Sequence, residues 1–437
     1  MNVIFFAIVL IAFVAAAVRQ VAWSPGDAEA ASPMELLTTG AVEAAGGAVT
    51  LAIGLVGVMA LFLGLMKVAE AGGLLVIIAK TVRPLMVRLF PDVPADHPAM
   101  GAMILNISAN ALGLGNAATP FGIRAMQELD KLNPQKGTAT NAMALFLAIN
   151  TSSVTLLPTG VVALRASVGS ADPAGIVPTT LFATICSTAV AIVAAKLLQR
   201  VWSAPAGTVP GLDEAPAPAL GPDEGGEPGT VMEGAGEAYP LWVSGLVLGG
   251  IAALVPLTIF FGKAIAPWVI PGLIVGLLGF GAARRVAVYE VFVEGAKDGF
   301  QVALRIIPYL VAILVAVGMF RASGAMDAFV GVVGGVTGRF GLPAEALPMA
   351  LLRPLSGSGA YGILTSIIND PAIGPDSYTG YLVSTLQGST ETTFYVLAVY
   401  FGAVQIRRIR HALAAGLTAD LTGIVAAVVI CLLLYAA

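Results

Sequence analysis

Apolar residues along this chain fall in runs too long for buried strands and too little interrupted by polar positions for surface helices. With their flanks, the windows Ile4–Val18, Val49–Met66, Ala142–Leu164, Val177–Leu198, Leu241–Phe261, Ala266–Ala283, Val302–Phe320 and Leu413–Ala437 are long enough to span a bilayer as helices. They predict about eight to ten crossings plus re-entrant segments. No basic residue precedes the first run and Arg19 follows it, which suits a retained anchor better than a cleaved leader.

Two polar, glycine-broken stretches interrupt this pattern: Leu105–Pro120 (LNISANALGLGNAATP) and Arg353–Gly362 (RPLSGSGAYG). Each is followed by a second polar cluster, Asn150–Ser153 (NTSS) and Gln387–Thr393 (QGSTETT). Lipid cannot satisfy so many amides, hydroxyls and interrupted backbone groups, so they must face protein or a water-filled cavity. Asn106 and Asn110 share a helix face, and Gly113, Gly115 and Pro120 are expected to break the helix soon after. That leaves Ser108, Asn116 and Thr119 beside freed backbone. Arg353 precedes a proline and is thereby biased away from helix, and Ser356 and Ser358 follow in a glycine-rich turn. Gln387, Thr390, Glu391 and Phe394 are spaced to share one face of a following helix, with Ser389 and Thr392 alongside.

The expected solute site has one wall of Asn106, Ser108, Asn110, Asn116, Thr119, Asn150, Thr151, Ser152 and Ser153. Its other wall is Arg353, Ser356, Ser358, Gln387, Ser389, Thr390, Glu391 and Thr392. The alternative is interhelical packing glue, worth about 0.6 to 2 kcal/mol per polar residue. Glu391 is the key ionisable group, able to take a proton, hold a cation or pair with Arg353, since a carboxylate in a bilayer costs about 2.5 to 3.5 kcal/mol.

Composition agrees with a membrane chain: 57% hydrophobic, 11% charged and a mean hydropathy of +0.90, against roughly 25% charged in soluble domains. The net charge of −4 has a local source, seven acidic and no basic residues in 203–238, a Pro/Gly-rich stretch without apolar periodicity. It reads as a flexible linker between membrane halves 1–202 and 239–437. The halves repeat one order of features: Val42-Glu43-Ala44-Ala45 and Val293-Glu294-Gly295-Ala296, then a long apolar helix, Gly72-Gly73 or Gly324-Ala325, an amphipathic stretch, the glycine-broken segment and its polar partner.

Basic clusters at Lys80/Arg83/Arg88, Arg284/Arg285 and Arg407/Arg408/Arg410 mark cytoplasmic loops or contacts to anionic lipid headgroups. No basic surface interleaved with aromatics points to nucleic acid. Cys186 and Cys431 lie in apolar runs as packing residues. His97 and His411 sit near helix ends, and no HExxH, CxxC or acidic cluster indicates a catalytic metal. A Ser358–His411 hydrolytic pair is weak chemistry, so an enzyme is not expected.

The run Asp96–Gly122 (DHPAMGAMILNISANALGLGNAATPFG), with Ala125–Asn133 and Phe146–Arg165, resembles spore maturation protein A. Tyr289–Gly299 (YEVFVEGAKDG), Arg353–Gly359 (RPLSGSG) and Gln387–Gly402 (QGSTETTFYVLAVYFG) resemble spore maturation protein B. Both belong to a group named for the nucleoside recognition, or Gate, domain, which is similar to parts of concentrative nucleoside transporters and ferrous iron transporters. The resemblance implies an all-α integral membrane fold, a polytopic bundle of two pseudo-symmetric repeats with broken helices or re-entrant hairpins, like the nucleoside carriers. The expected function is transport of a small polar solute, nucleoside-like or otherwise, in the bacterial inner membrane. No cofactor is expected, the coupling ion is open between H+ and Na+, and glycine-rich helices are compatible with a homo-oligomer. The alternative is a non-transporting scaffold in envelope or spore maturation.

Overall fold

A computed structural model describes residues 2–24, 31–113, 115–202, 239–326, 328–329, 331 and 337–436. The acidic stretch 203–238, expected as a linker, lies outside the described residues. Among those residues the regular structure is helical, with one isolated bridge between Thr138 and Arg408.

The first helix, α1 (Asn2–Val21), carries the leading apolar window, and α2 (Pro33–Ala71) carries the second. Ser32 starts α2 through a reciprocal cap: its Oγ accepts from the Glu35 N–H at 3.3 Å, and Glu35 accepts from the Ser32 N–H at 2.7 Å. The helix stops at Gly72. Gly73 adopts a φ of +86°, a left-handed value that a side chain would oppose, and α3 (Leu74–Leu89) leaves at 68°. A hairpin follows, α4 (Pro98–Ala111) and α5 (Gly115–Lys131). Pro120 lies inside α5 rather than ending a helix, a correction to its expected role as a breaker.

Next come α6 (Asn141–Ser152), α7 (Thr159–Ser167) and α8 (Ile176–Leu198). The single span expected over Ala142–Leu164 is therefore two pieces. After residues 203–238, α9 (Leu241–Ala283) carries two expected windows in one helix, and α10 (Val288–Ala322) packs lengthwise on α2. Small residues allow that contact: a Cβ on Gly299 would lie 2.6 Å from the Ala60 Cα. The chain finishes with α11 (Leu347–Leu352), α12 (Gly357–Ile368), α13 (Tyr378–Ser389), α14 (Thr393–Gly402) and α15 (Ala412–Tyr435).

Among the described residues, two helices are long and apolar enough to cross a membrane, spanning Pro173–Leu198 and Ala412–Tyr435. The bent pair of α2 and α3 makes up to three. The eight to ten expected crossings are not all continuous helices, because the pieces around the polar segments run from 9 to 14 residues, short of the roughly 20 a span requires.

Two apolar cores result. One gathers Phe90, Met100, Met103, Met126 and Phe146 with Tyr400 and Phe401; the other gathers Leu164, Ile363, Leu364 and Leu382 with Ile430. Residues from before and after 203–238 share both. α15 is common to them, giving Ala412, Ala415 and Ala419 to the first and Ala426, Ala427 and Ile430 to the second.

Arg165, at the end of α7, is fully buried (0% exposed). Its guanidinium donates to the Pro375 carbonyl at 2.6 Å, to Ser384 Oγ at 3.3 Å, to Ser170 Oγ and the Asp172 carbonyl at 3.1 Å, and to Asp376 at 2.9 Å. Its flat face lies 4.2 Å from the centre of the Tyr381 ring. The cation thus fastens the turn before α13 to α7. The turn after α4 is held differently: Gly113 has a φ of +76°, and a Cβ there would lie 2.4 Å from the Leu157 carbonyl oxygen.

Arg165→Met should lower stability by about 3 kcal/mol, since it strands buried acceptors, and Arg165→Lys should recover only part. Thermal unfolding in detergent reads this, and an unchanged midpoint for the Met variant contradicts the role. Gly113→Ala should cost about 2 kcal/mol from its backbone conformation alone, seen as a lower melting temperature than wild type.

Candidate functional site

Two helices end inside the protein rather than at its surface. α6 stops at Ser152 and the chain runs through Ser153–Pro158 before α7 begins; α13 stops at Ser389, Thr390 is extended, and α14 begins at Thr393. This corrects one expectation: Gln387, Thr390, Glu391 and Phe394 do not share a helix face, because the helix is broken between them. The two gaps touch. The Glu391 N–H donates to the Thr151 carbonyl at 2.8 Å.

Each gap frees carbonyls that lose their intrahelical donors. At the end of α6 the hydroxyls of Thr151, Ser152 and Ser153 fold back onto the carbonyls of Ala148, Ile149 and Asn150 at 2.9–3.3 Å. At the end of α13 Ser389 donates to Leu386, and Arg353 supplies the rest. Its Nε donates to the Gln387 carbonyl and its Nη1 to Thr392 Oγ1, both at 2.9 Å, while Nη2 donates to the Thr390 carbonyl. A cation at a helix C-terminus has the favourable sense toward the helix dipole. Arg353 itself keeps helical backbone angles as the last residue of α11's cap, so the chain unwinds at Pro354, one residue later than expected.

The turns that follow α4 and α11 dock on these gaps. The Leu156 N–H donates to the Ala111 carbonyl at 2.9 Å, and the Phe394 N–H donates to the Pro354 carbonyl at 3.2 Å. A buried amide chain joins the first hairpin to α14. Asn106 donates to the Ala118 carbonyl and to the Tyr400 hydroxyl, Tyr400 donates to Asn150 Oδ1 at 3.4 Å, and Asn110 donates to the same oxygen at 3.0 Å.

Between the docked turns and the gaps lies a cavity of about 240 Å³. It is lined by Asn110 and Gly113, by Thr155 and Leu157–Val161, by Arg353, Gly357 and Tyr361, and by Gln387, Gly388 and Glu391. Thr159 and Gly160 open α7, whose N-terminus has no side-chain cap, so the positive end of the helix dipole faces this wall. Gln387 is 5% exposed and its Oε1 has no hydrogen-bond partner. Glu391 lies 3.5 Å from Arg353 with half its side chain exposed, so the pair is screened and contributes little on its own. A larger, open hollow of about 400 Å³ sits at the α2–α3 bend beside Arg284 and Arg285, away from both gaps.

Of the residues expected to form the site, the cavity gathers Asn110, Arg353, Gln387 and Glu391. Asn106 and Asn150 stand behind Asn110 in the amide chain. Thr151, Ser152, Ser153, Ser389, Thr390 and Thr392 are buried at the gaps, and Ser108 is buried with its hydroxyl on the Ile104 carbonyl. Ser356 caps α12 by accepting from the Gly359 N–H at 3.0 Å, and Ser358 lies in the first turn of that helix. Neither lines the cavity, nor does Thr119, and the Asn116 side chain lies outside the described residues. His97 caps α4 by accepting from the Ala99 N–H, and His411 precedes α15 with both ring nitrogens unpartnered. Among the described residues no three His, Cys, Asp or Glu side chains converge on one point.

Sequence reasoning missed Tyr361, Tyr400, Thr393 and Asp420. Tyr361 and Thr393 lie within the polar stretches Arg353–Gly362 and Gln387–Thr393 without having been singled out as site residues, and Tyr400 sits in an apolar run; Asp420 carried a signal, as the one carboxylate in a candidate span of mean hydropathy 2.4.

The family described as nucleoside recognition matches residues 52–167 and 303–407, which include every residue lining the cavity. Spore maturation protein B of Bacillus subtilis (strain 168) is 49% identical over 166 residues, 38% of this chain and 92% of that protein. Spore maturation protein A of the same organism is 49% identical over 140 residues, 32% of this chain and 71% of that protein. No solved structure matches. With the family matched on both sides of the acidic stretch and both relatives found in one polypeptide, the chain belongs to the nucleoside recognition (Gate) family of membrane proteins and joins regions similar to spore maturation proteins A and B.

Proposed function

We propose that this protein is a multi-pass carrier of the bacterial inner membrane that moves a small polar solute through the cavity between its two broken helices. The contact of Glu391 with Thr151 carries this reading, because it brings two interrupted helices from the two halves of the chain against one cavity. Interrupted helices meeting at a shared site are a recurrent construction of secondary carriers. The docking bonds support a repeat of 1–202 in 239–437: in each half a hairpin-turn carbonyl accepts from an N–H within or just beyond the next gap, that of Leu156 or Phe394.

The cavity offers recognition as well as space. Gln387 Oε1 is an unpaid acceptor, Asn110 contributes an amide, and Arg353 and Glu391 place opposite charges at one edge. A solute rich in hydroxyl and amide groups suits these partners, and the family's description makes nucleosides the first compounds to test. Rocking of one half against the other would expose the cavity to each side in turn. One observation favours a second reading, a non-transporting scaffold: the hydroxyls of Thr151, Ser152 and Ser153 are all satisfied within α6.

Uptake into proteoliposomes of labelled nucleosides, amino acids and dicarboxylates, with ligand-induced thermal shifts, separates the two. A carrier accumulates at least one class; silence across the panel in both assays overturns it. Glu391→Gln should fold normally yet reduce uptake sharply, whereas a structural ion pair would show as lost stability instead. Gln387→Leu should weaken solute binding about tenfold, one buried hydrogen bond's worth at about 1.4 kcal/mol.

A further inference from the structure

The last helix, α15, crosses behind the gap between α13 and α14. Gly416, Asp420 and Gly423 fall on its inward face at i, i+4 and i+7. A Cβ on Gly416 would lie 2.9 Å from Thr393 Cγ2, and one on Gly423 would lie 2.7 Å from Thr390 Cγ2, so the helix touches the gap on either side of Asp420. Asp420 itself is 3% exposed. Its Oδ2 accepts from the Thr393 hydroxyl at 2.7 Å, and its Oδ1 has no hydrogen-bond partner.

A buried carboxylate normally collects several donors or a matched cation. Asp420 has one donor at hydrogen-bond distance, Thr393, with the Thr390 side chain beside it. The elements packed on α15 bring no free cation to it: α6 has no titratable side chain, α8 has Cys186 and Lys196, α13 has Tyr378 and Tyr381, and α14 has Tyr395 and Tyr400. Lys196 is bound to the Leu89 carbonyl. The Thr390 side chain and the Arg353 guanidinium also act on Asp420, but Arg353 gives its donors to Gln387, Thr390 and Thr392 and pairs with Glu391. A neutral acid buries a dipole where the ionised form would bury a full charge.

We propose that Asp420 is a proton-binding site, a carboxylic acid held neutral in its buried place against the gap that can release its proton to water. On release the O–H bond breaks, its electron pair stays on the carboxylate, the proton passes to water entering the gap, and Thr393 continues to donate to Oδ2. The residue lies outside both regions matched by the family. The proton site does not rest on transport, although it sits beside the cavity of the proposed carrier.

Infrared titration of the reconstituted full chain, with no solute added, tests it. Wild type should show a carboxylic acid C=O band that persists at least about one pH unit above the ordinary aspartate value of about 3.9. Asp420→Asn should remove that band. Thr393→Val, which deletes a donor that favours the ionised form, should move the band's midpoint upward and serves where the Asn variant fails to fold. A wild-type band already lost near the ordinary value, a band that survives Asp420→Asn, or a midpoint unmoved by Thr393→Val overturns the proposal. Uptake without the band retires the proton site and leaves the carrier reading standing; the band without uptake does the reverse.

Discussion

A backbone that leaves its helix inside apolar surroundings must find a partner for each N–H and C=O it frees, and the centre of this protein is arranged around two such departures. Lipid and apolar side chains offer no partner there, so each unmet group costs free energy on the scale of a lost hydrogen bond or more. The two gaps meet this demand with different chemistry. α6 closes on its own hydroxyls, α13 closes on Arg353, and the gaps give each other the Glu391–Thr151 bond.

This solution requires close approach, which explains the residues around it. Gly113 brings the first hairpin's turn against the Leu157 carbonyl, and Gly416 and Gly423 bring α15 against Thr393 and Thr390. The helix that touches the gaps also joins both apolar cores, so the placement of the gaps and the packing of the bundle are coupled through α15. Arg165 acts at a second point, tying α7 to the turn before α13 through Asp376 and the Pro375 carbonyl. Cation and carbonyl contacts therefore connect residues from before and after 203–238 in several places, with Arg19 on Ser323, Arg284 on Gly72 and Arg410 on Ala139 adding to these.

Function, on this view, resides in what the satisfied network leaves over. Most polar groups at the gaps are spent on the backbone, which limits the proposed recognition surface to the cavity-lining Asn110, Arg353, Gln387 and Glu391 with the start of α7. Asp420 is the complementary case, a carboxyl with a single donor and an unused oxygen beside the same gap. A small set of unspent groups against a rigidly bonded background is what a selective site needs, because the background holds its geometry when the ligand arrives.

The membrane class, the two polar interruptions and the pairing of each with a later cluster were legible in the amino-acid order, since runs of apolar residues and glycine-broken amides are local properties. The Arg353–Glu391 pair was also foreseeable from its two lone charges. Tertiary structure decided the rest. Window hydropathy ran through Ser153–Pro158 and read one span where α6 and α7 are separate, because a break satisfied by other elements need not look polar in itself. The helical spacing of Gln387 to Phe394 pointed to one face, yet Arg353 takes the carbonyls at Gln387 and Thr390 and the helix ends there. Ser152 and Ser358 read as ligands but serve or adjoin helix ends, and Asp420, the one carboxylate in its apolar run, lands against Thr393. The physical reason is common to all of these: residue order states which groups need partners, but only the folded chain states which partners they have.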